Sequence, residues 1–171
     1  MIVGNKSTFA FEIIESRIEQ GDLCTVNIYI DDQNICPFDN QIYLPAFVNS
    51  LECSADYLKR KIDYIKFEKH FIGLNAIEAH QLLMNNPDKD LENTMYEFHR
   101  FVDWGSTTDS VYCFLIPIRG FLCLTCEFWQ DINSEERAGT IYDAGVTPYQ
   151  LIQTISYAID ILKKIPINSH S

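Results

Sequence analysis

Residues 8–36, TFAFEIIESRIEQGDLCTVNIYIDDQNIC, decide the fold. Phe9, Phe11 and Ile13 alternate with Ala10, Glu12 and Ile14; Cys24, Val26, Ile28 and Ile30 alternate with Thr25, Asn27 and Tyr29. A period of two belongs to a strand with one buried face. Strands are therefore predicted over 8–15 and 23–30, with Gln20-Gly21-Asp22 as a turn between them. The polar run Asp31-Asp32-Gln33-Asn34 predicts a tight turn into a short third strand at Ile35-Cys36. Strands joined by turns this short form an antiparallel meander. Upstream, Gly4, Asn5 and Ser7 read as a turn.

Downstream the period changes. Pro45 suits the first turn of a helix, and Phe47, Val48, Leu51, Ala55, Leu58 and Ile62 then form one apolar stripe. A second helix is predicted over 75–85, with Asn75 as its cap and Glu78 completing a capping pair; Asn86-Pro87-Asp88 stops it. Residues 94–102 predict a strand, followed by a loop at Gly105-Ser106. Residues 111–118 and 121–129 predict a hairpin around Arg119-Gly120. This is the most apolar part of the chain and is expected at the centre of the sheet, with Pro117 at the hairpin's end or on an edge. Thr147 caps a last helix with Pro148 in its first turn. Leu151, Ile152, Ile155, Ala158, Ile159 and Leu162 line its buried face, Lys163 and Lys164 complement its C-terminal end, and Pro166 closes it. The expectation is one α+β domain over residues 1–171, with 165–171 a frayed tail. It comprises an antiparallel sheet of about five to six strands with two to three helices packed against it.

Charge narrows the partners. Among 171 residues, 24 acids face 13 bases, a formal net charge of −11. Nucleic acid and anionic membranes attract clustered Lys and Arg, so neither is an expected partner. Lys59, Arg60, Lys61, Lys66 and Lys69 read as a solvated helix end. No apolar run reaches the ~20 residues of a membrane span. The chain opens with no basic region, sustained apolar stretch or small-residue cleavage site, so a cytoplasmic protein is expected. The six cysteines are too sparse for a disulfide framework and read as small buried hydrophobes.

No catalytic kit is visible. Cys123 and Cys126 have CxxC spacing, but residues three apart on a strand face opposite ways. His70, His80, His99 and His170 form no metal-ligand pattern, and GxSxG, P-loop and dinucleotide fingerprints are missing. No catalytic residue, cofactor or metal is expected. His99 reads as a surface histidine on a strand. Two features suit protein binding. One is a set of acidic turns, Asp31, Asp32 and Asp39, then Asp88, Asp90 and Glu92. The other is the loop of Asp103 and Trp104 with Asp109 nearby. Trp104 is either a core anchor or an interface anchor; Trp129, at a strand end, reads as core.

The opening MIVGNKSTFAFE (1–12), through Gly4, Phe9, Ala10 and Glu12, resembles the start of bacterial polymorphic-toxin immunity proteins. The match is to immunity family forty-two in particular, whose members begin with a similar Gly…Phe-Ala-hydrophobic-Glu strand. Length, element order and the late amphipathic helix are similar too. Residues 23–39, LCTVNIYIDDQNICPFD, depart from that family in carrying neither Trp nor Gly. The resemblance implies a small cytosolic protein that binds and neutralises one cognate toxin domain, as in contact-dependent growth inhibition or type VI systems. It supplies no catalytic residues. The charge fits independently: nuclease toxins grip phosphate with basic clefts, and acidic turns on an inhibitor speed its association with such a cleft. Two other readings stay open. One is a hydrolase using His99 with a carboxylate or cysteine; the other is an adaptor domain with a peptide-binding edge.

Overall fold

A computed structural model of the chain describes residues 1–14, 22–37, 39–60, 64–85, 99–129 and 137–166. The first sheet contains β1 (Ile2–Asn5), β2 (Phe9–Ile14), β3 (Leu23–Ile30), β4 (Gln33–Asn34) and β5 (Gln41–Tyr43). Helix α1 (Leu44–Arg60), a 3-10 helix (Tyr64–Phe71) and α2 (Ala76–Asn85) follow. The second sheet contains β6 (Val111–Ile118), β7 (Phe121–Phe128) and β8 (Ile141–Val146), and α3 (Pro148–Leu162) comes last. The class is α+β, with the strands divided between two antiparallel sheets of five and three.

The meander pairs as its alternation requires. Phe9, Phe11 and Ile13 of β2 lie opposite Ile30, Ile28 and Val26 of β3, so the apolar sets share one face, and all six are buried. Asp31 and Asp32 have φ of 50° and 60°. Two consecutive residues of that kind make the tight hairpin turn whose twist suits adjoining strands. Pairing therefore resumes at once, Gln33 opposite Ile30, and the short strand lies at 33–34 rather than at Ile35-Cys36.

Gly4 and Asn5 belong to a strand rather than a turn. Gly4 pairs with Ala10 and Asn5 with Phe9, and the turn falls at residues 6–8. Gly4 has φ +93°, and a Cβ there would lie 2.4 Å from the Phe9 carbonyl oxygen and 2.8 Å from Thr154 Cγ2 of α3. Only glycine fits that approach.

The capping expectations hold. Asn75 Oδ1 accepts from the Glu78 amide at 2.9 Å and Glu78 Oε2 accepts from the Asn75 amide at 2.8 Å. Thr147 and Gln150 form the same reciprocal box at α3. Strand β8 has no counterpart in the sequence reading, because Asp143 and Gly145 are weak strand formers. Of the strand predicted over 94–102, residues 94–98 lie outside the described residues. Arg100 makes an isolated bridge to Phe114, and the chain then turns at Val102, φ 60°. Gln20, Gly21, Ile62, the stop at Asn86-Pro87-Asp88 and residues 167–171 also lie outside the described residues.

A large core joins the inner face of the first sheet, α1, α3 and one face of the second sheet. The other face of the second sheet holds a smaller core, in which Phe114 and Ile116 meet Ala79 and Leu83 of α2 and Phe71 of the 3-10 helix. Among the described residues no helix is long and apolar enough to cross a membrane.

Candidate protein-binding surface

The strand alternation that buries Phe9, Phe11 and Ile13 turns Glu12 to the opposite, outer face of the first sheet. There it lies in register with Asn27 of β3. Glu12 Oε2 accepts from the Tyr29 hydroxyl at 2.7 Å and from Asn27 Nδ2 at 3.1 Å. Asn27 Oδ1 accepts in turn from Asn40 Nδ2 at 2.9 Å and Asn34 Nδ2 at 3.3 Å. Lys6, from the β1–β2 turn, sits 3.4 Å from Glu12 Oε1 and 3.8 Å from the centroid of the Tyr29 ring. Donors satisfy the carboxylate: the Tyr29 hydroxyl first, then Asn27 and Lys6, hold Glu12 below its ordinary pKa. Burial and the bond to Glu12 raise that of Tyr29. Five segments of the chain, the β1–β2 turn, β2, β3, β4 and the residue before β5, thus meet in one interlocked polar network on a water-facing sheet. Glu12 was visible in the sequence as an outward residue. Its partners were not, because register rather than spacing joins them.

The predicted acidic residues separate into groups. Asp31 and Asp32 form the β3–β4 turn beside this network, the Asp32 amide donating to the Lys6 carbonyl at 2.7 Å. Exposed Asp39 precedes Asn40, whose carbonyl accepts from the Val26 amide of β3 at 2.8 Å. Asp88, Asp90 and Glu92 lie outside the described residues. Asp103 pairs with Arg100 at 3.4 Å, on an open groove of about 320 Å³ that Cys53 and Tyr57 of α1 also line. Asp109 is exposed beside β6, and its carbonyl accepts from the Trp129 indole.

The structure decides between the two readings of Trp104 and corrects that of Trp129. Trp104 is 4% exposed and Trp129 is 49% exposed. Trp104 stacks on Phe11 with centroids 5.5 Å apart, and its Nε1 donates to Ser54 of α1 at 2.8 Å. It is the core anchor of the two readings. Trp129 lies on the surface with its indole tilted toward Tyr112; a strand-end position does not reveal which side the ring takes.

His99 is fully buried, which corrects the surface reading. Its Nδ1 lies 2.8 Å from the Leu115 carbonyl, and Tyr64, Phe67 and Phe71 surround its ring. His80 of α2 is also fully buried and meets polar side chains of β7. Its Nδ1 is 2.8 Å from Thr125 Oγ1 and its Nε2 is 3.1 Å from Glu127 Oε2. Burial pushes His80 down to about 4 and raises Glu127. At neutral pH His80 is therefore a neutral imidazole, with one ring nitrogen facing the Thr125 hydroxyl and the other the Glu127 carboxyl group. Thr125 is fully buried too, so this cluster ties α2 to β7.

Four cysteines are buried as expected, Cys123 is half-buried, and Cys53 is exposed on α1. Burial pushes the Cys123 thiol up to about 12, with Asp143 adding to the effect, and pushes Cys126 well up. Neither is a ready thiolate at neutral pH.

These features define an α+β protein in which two antiparallel sheets share a core with a pair of helices, and whose ordered polar surface lies on the larger sheet. No family model and no curated protein matches the sequence. A solved structure has this fold: the crystal structure of CdiI from Burkholderia dolosa AUO158. It aligns with a TM-score of 0.57 over 94% of this chain and 99% of that one, at 14% sequence identity.

Proposed function

We propose that this chain is the immunity protein of a contact-dependent growth-inhibition system. It binds and neutralises one cognate toxin domain in the cytoplasm by protein–protein contact. The observation that carries this reading is the fold shared with a CdiI immunity protein along nearly the whole of both chains. Two features of the sequence add to it: the Gly4, Phe9, Ala10, Glu12 opening and the charge of −11. The toxin is a basic domain, in keeping with a nuclease that must grip phosphate. Acidic side chains, among them Asp31, Asp32, Asp39, Asp88, Asp90, Glu92, Asp103 and Asp109, steer the encounter. Trp104 supports this surface from beneath. The protein inhibits by binding, without catalysis, metal or cofactor.

The test starts from the gene immediately upstream, where a large secreted protein with a variable C-terminal domain is the expected finding, and co-expresses that domain with this protein. The expected result is restored growth and a complex that co-purifies. Persistent killing with no complex overturns the reading.

A further inference from the structure

We infer that the toxin domain seats on the outer face of the first sheet, and that the seat is built for a basic surface. This rests on the immunity-protein reading and adds where the partner binds. The outer face, as the register defines it, carries Ile2, Glu12 and Asn27 in one row and Ile14, Thr25 and Gln41 in another. Leu23 lies opposite Tyr43 beyond them. Ile2, Ile14, Leu23 and Tyr43 are 53%, 41%, 37% and 55% exposed. A sheet face open to water ordinarily carries polar side chains. Four large apolar ones on the same face mark a surface that meets another protein.

The Glu12 network occupies the middle of that face. Bonds between water-exposed groups add little to stability. What these bonds do is fix the rotamers of Tyr29, Asn27, Asn34 and Asn40 before a partner arrives, which lowers the entropy lost on binding. Tyr and Asn are also the residues that binding surfaces favour for amphipathic and adaptable contact. Charge selects the occupant. Glu12, Asp31, Asp32 and Asp39 on and beside the face outnumber the two ammonium groups described there, that of Lys6 and that of the N-terminus, which donates to the Ile13 carbonyl at 2.6 Å. A basic domain is drawn to it, and a second copy of the same face is repelled.

The experiment measures affinity of the upstream-encoded toxin domain, as an inactive variant, for wild type and three surface variants. These are Ile14→Lys/Tyr43→Lys, the milder Tyr43→Ser, and a control, Ile77→Ser, on exposed α2 surface. Urea unfolding of each establishes that it is folded. The double variant is expected to bind at least tenfold more weakly, Tyr43→Ser severalfold more weakly, and the control as wild type does. If wild type binds and both face variants bind within twofold of it, the placement is overturned while the immunity-protein reading stands. If wild type does not bind, both fall. A wild-type dimer that Ile14→Lys/Tyr43→Lys dissolves would give the face to a second copy and overturn the inference.

Discussion

Acid should loosen the hold of α2 on the second sheet through His80, and a difference experiment isolates the effect. In the folded protein His80 is fully buried and titrates at about 4, against an ordinary 6.5. A folded pKa below the unfolded one means that unfolding takes up a proton. Stability from the neutral imidazole is thus fully present above pH 6.5 and is lost as pH falls from there through 4. At 1.36 kcal/mol per unit, a depression from 6.5 to about 4 corresponds to ~3 kcal/mol. Glu127 works in the opposite sense. Its raised pKa means that folding favours its protonated form, so acid relieves its burial and offsets part of the loss. The net loss expected is therefore smaller than that ~3 kcal/mol.

Urea unfolding at pH 7.0, 5.5 and 4.5 measures it, on wild type and on His80→Leu. The variant starts less stable by about 1–3 kcal/mol, because Thr125 and Glu127 lose their partner. Its stability should nevertheless fall less steeply with pH. The remaining carboxylates are common to both proteins and cancel in the difference. Equal slopes for the two proteins would refute the argument that a buried neutral His80 tethers α2.

Trp104→Ala should remove about 3–5 kcal/mol by opening a cavity against Phe11 and Phe47, lowering Tm by about 10 °C or more. Trp129→Ala should stay within about 1 kcal/mol in the same melts, and equal effects would contradict the assignment of the two indoles. Gly4→Ala should cost about 2 kcal/mol or more, because the new Cβ meets the Phe9 carbonyl; an unchanged Tm would contradict that contact. Converting Asp31, Asp32 and Asp39 to Asn should weaken toxin binding and flatten its salt dependence. Affinity that does not change would remove these turns from the interface.

Local sequence carried the elements whose signals are local. Alternation placed β2 and β3, an apolar run broken at Arg119-Gly120 placed β6 and β7, and Asn75 and Thr147 placed the starts of α2 and α3. What escaped depends on contacts far apart in the chain. Gly4 read as a turn because glycine usually marks one, while the structure uses it for a close approach to Thr154, 150 residues away. His80 met Thr125 and Glu127 only once α2 lay on β7, so nothing in its neighbourhood announced a polar cluster. The same holds for the binding surface. Asp31, Asp32 and Asp39 were legible as acidic turns. The network of Glu12, Asn27, Tyr29, Asn34 and Asn40 needed the register of β2 against β3. Trp104 stood open between core and interface because a loop can turn a ring either way, and here Ser54 and Phe11 hold it inward; Trp129 read as core, but a strand end can leave a ring outside.

Titration calorimetry of the upstream-encoded toxin domain against this protein, at low and at physiological salt, tests the central claim most directly. A one-to-one complex whose affinity falls as salt rises is the predicted result. Absence of any complex at about 10 μM protein, an affinity weaker than roughly 7 kcal/mol, would contradict the account.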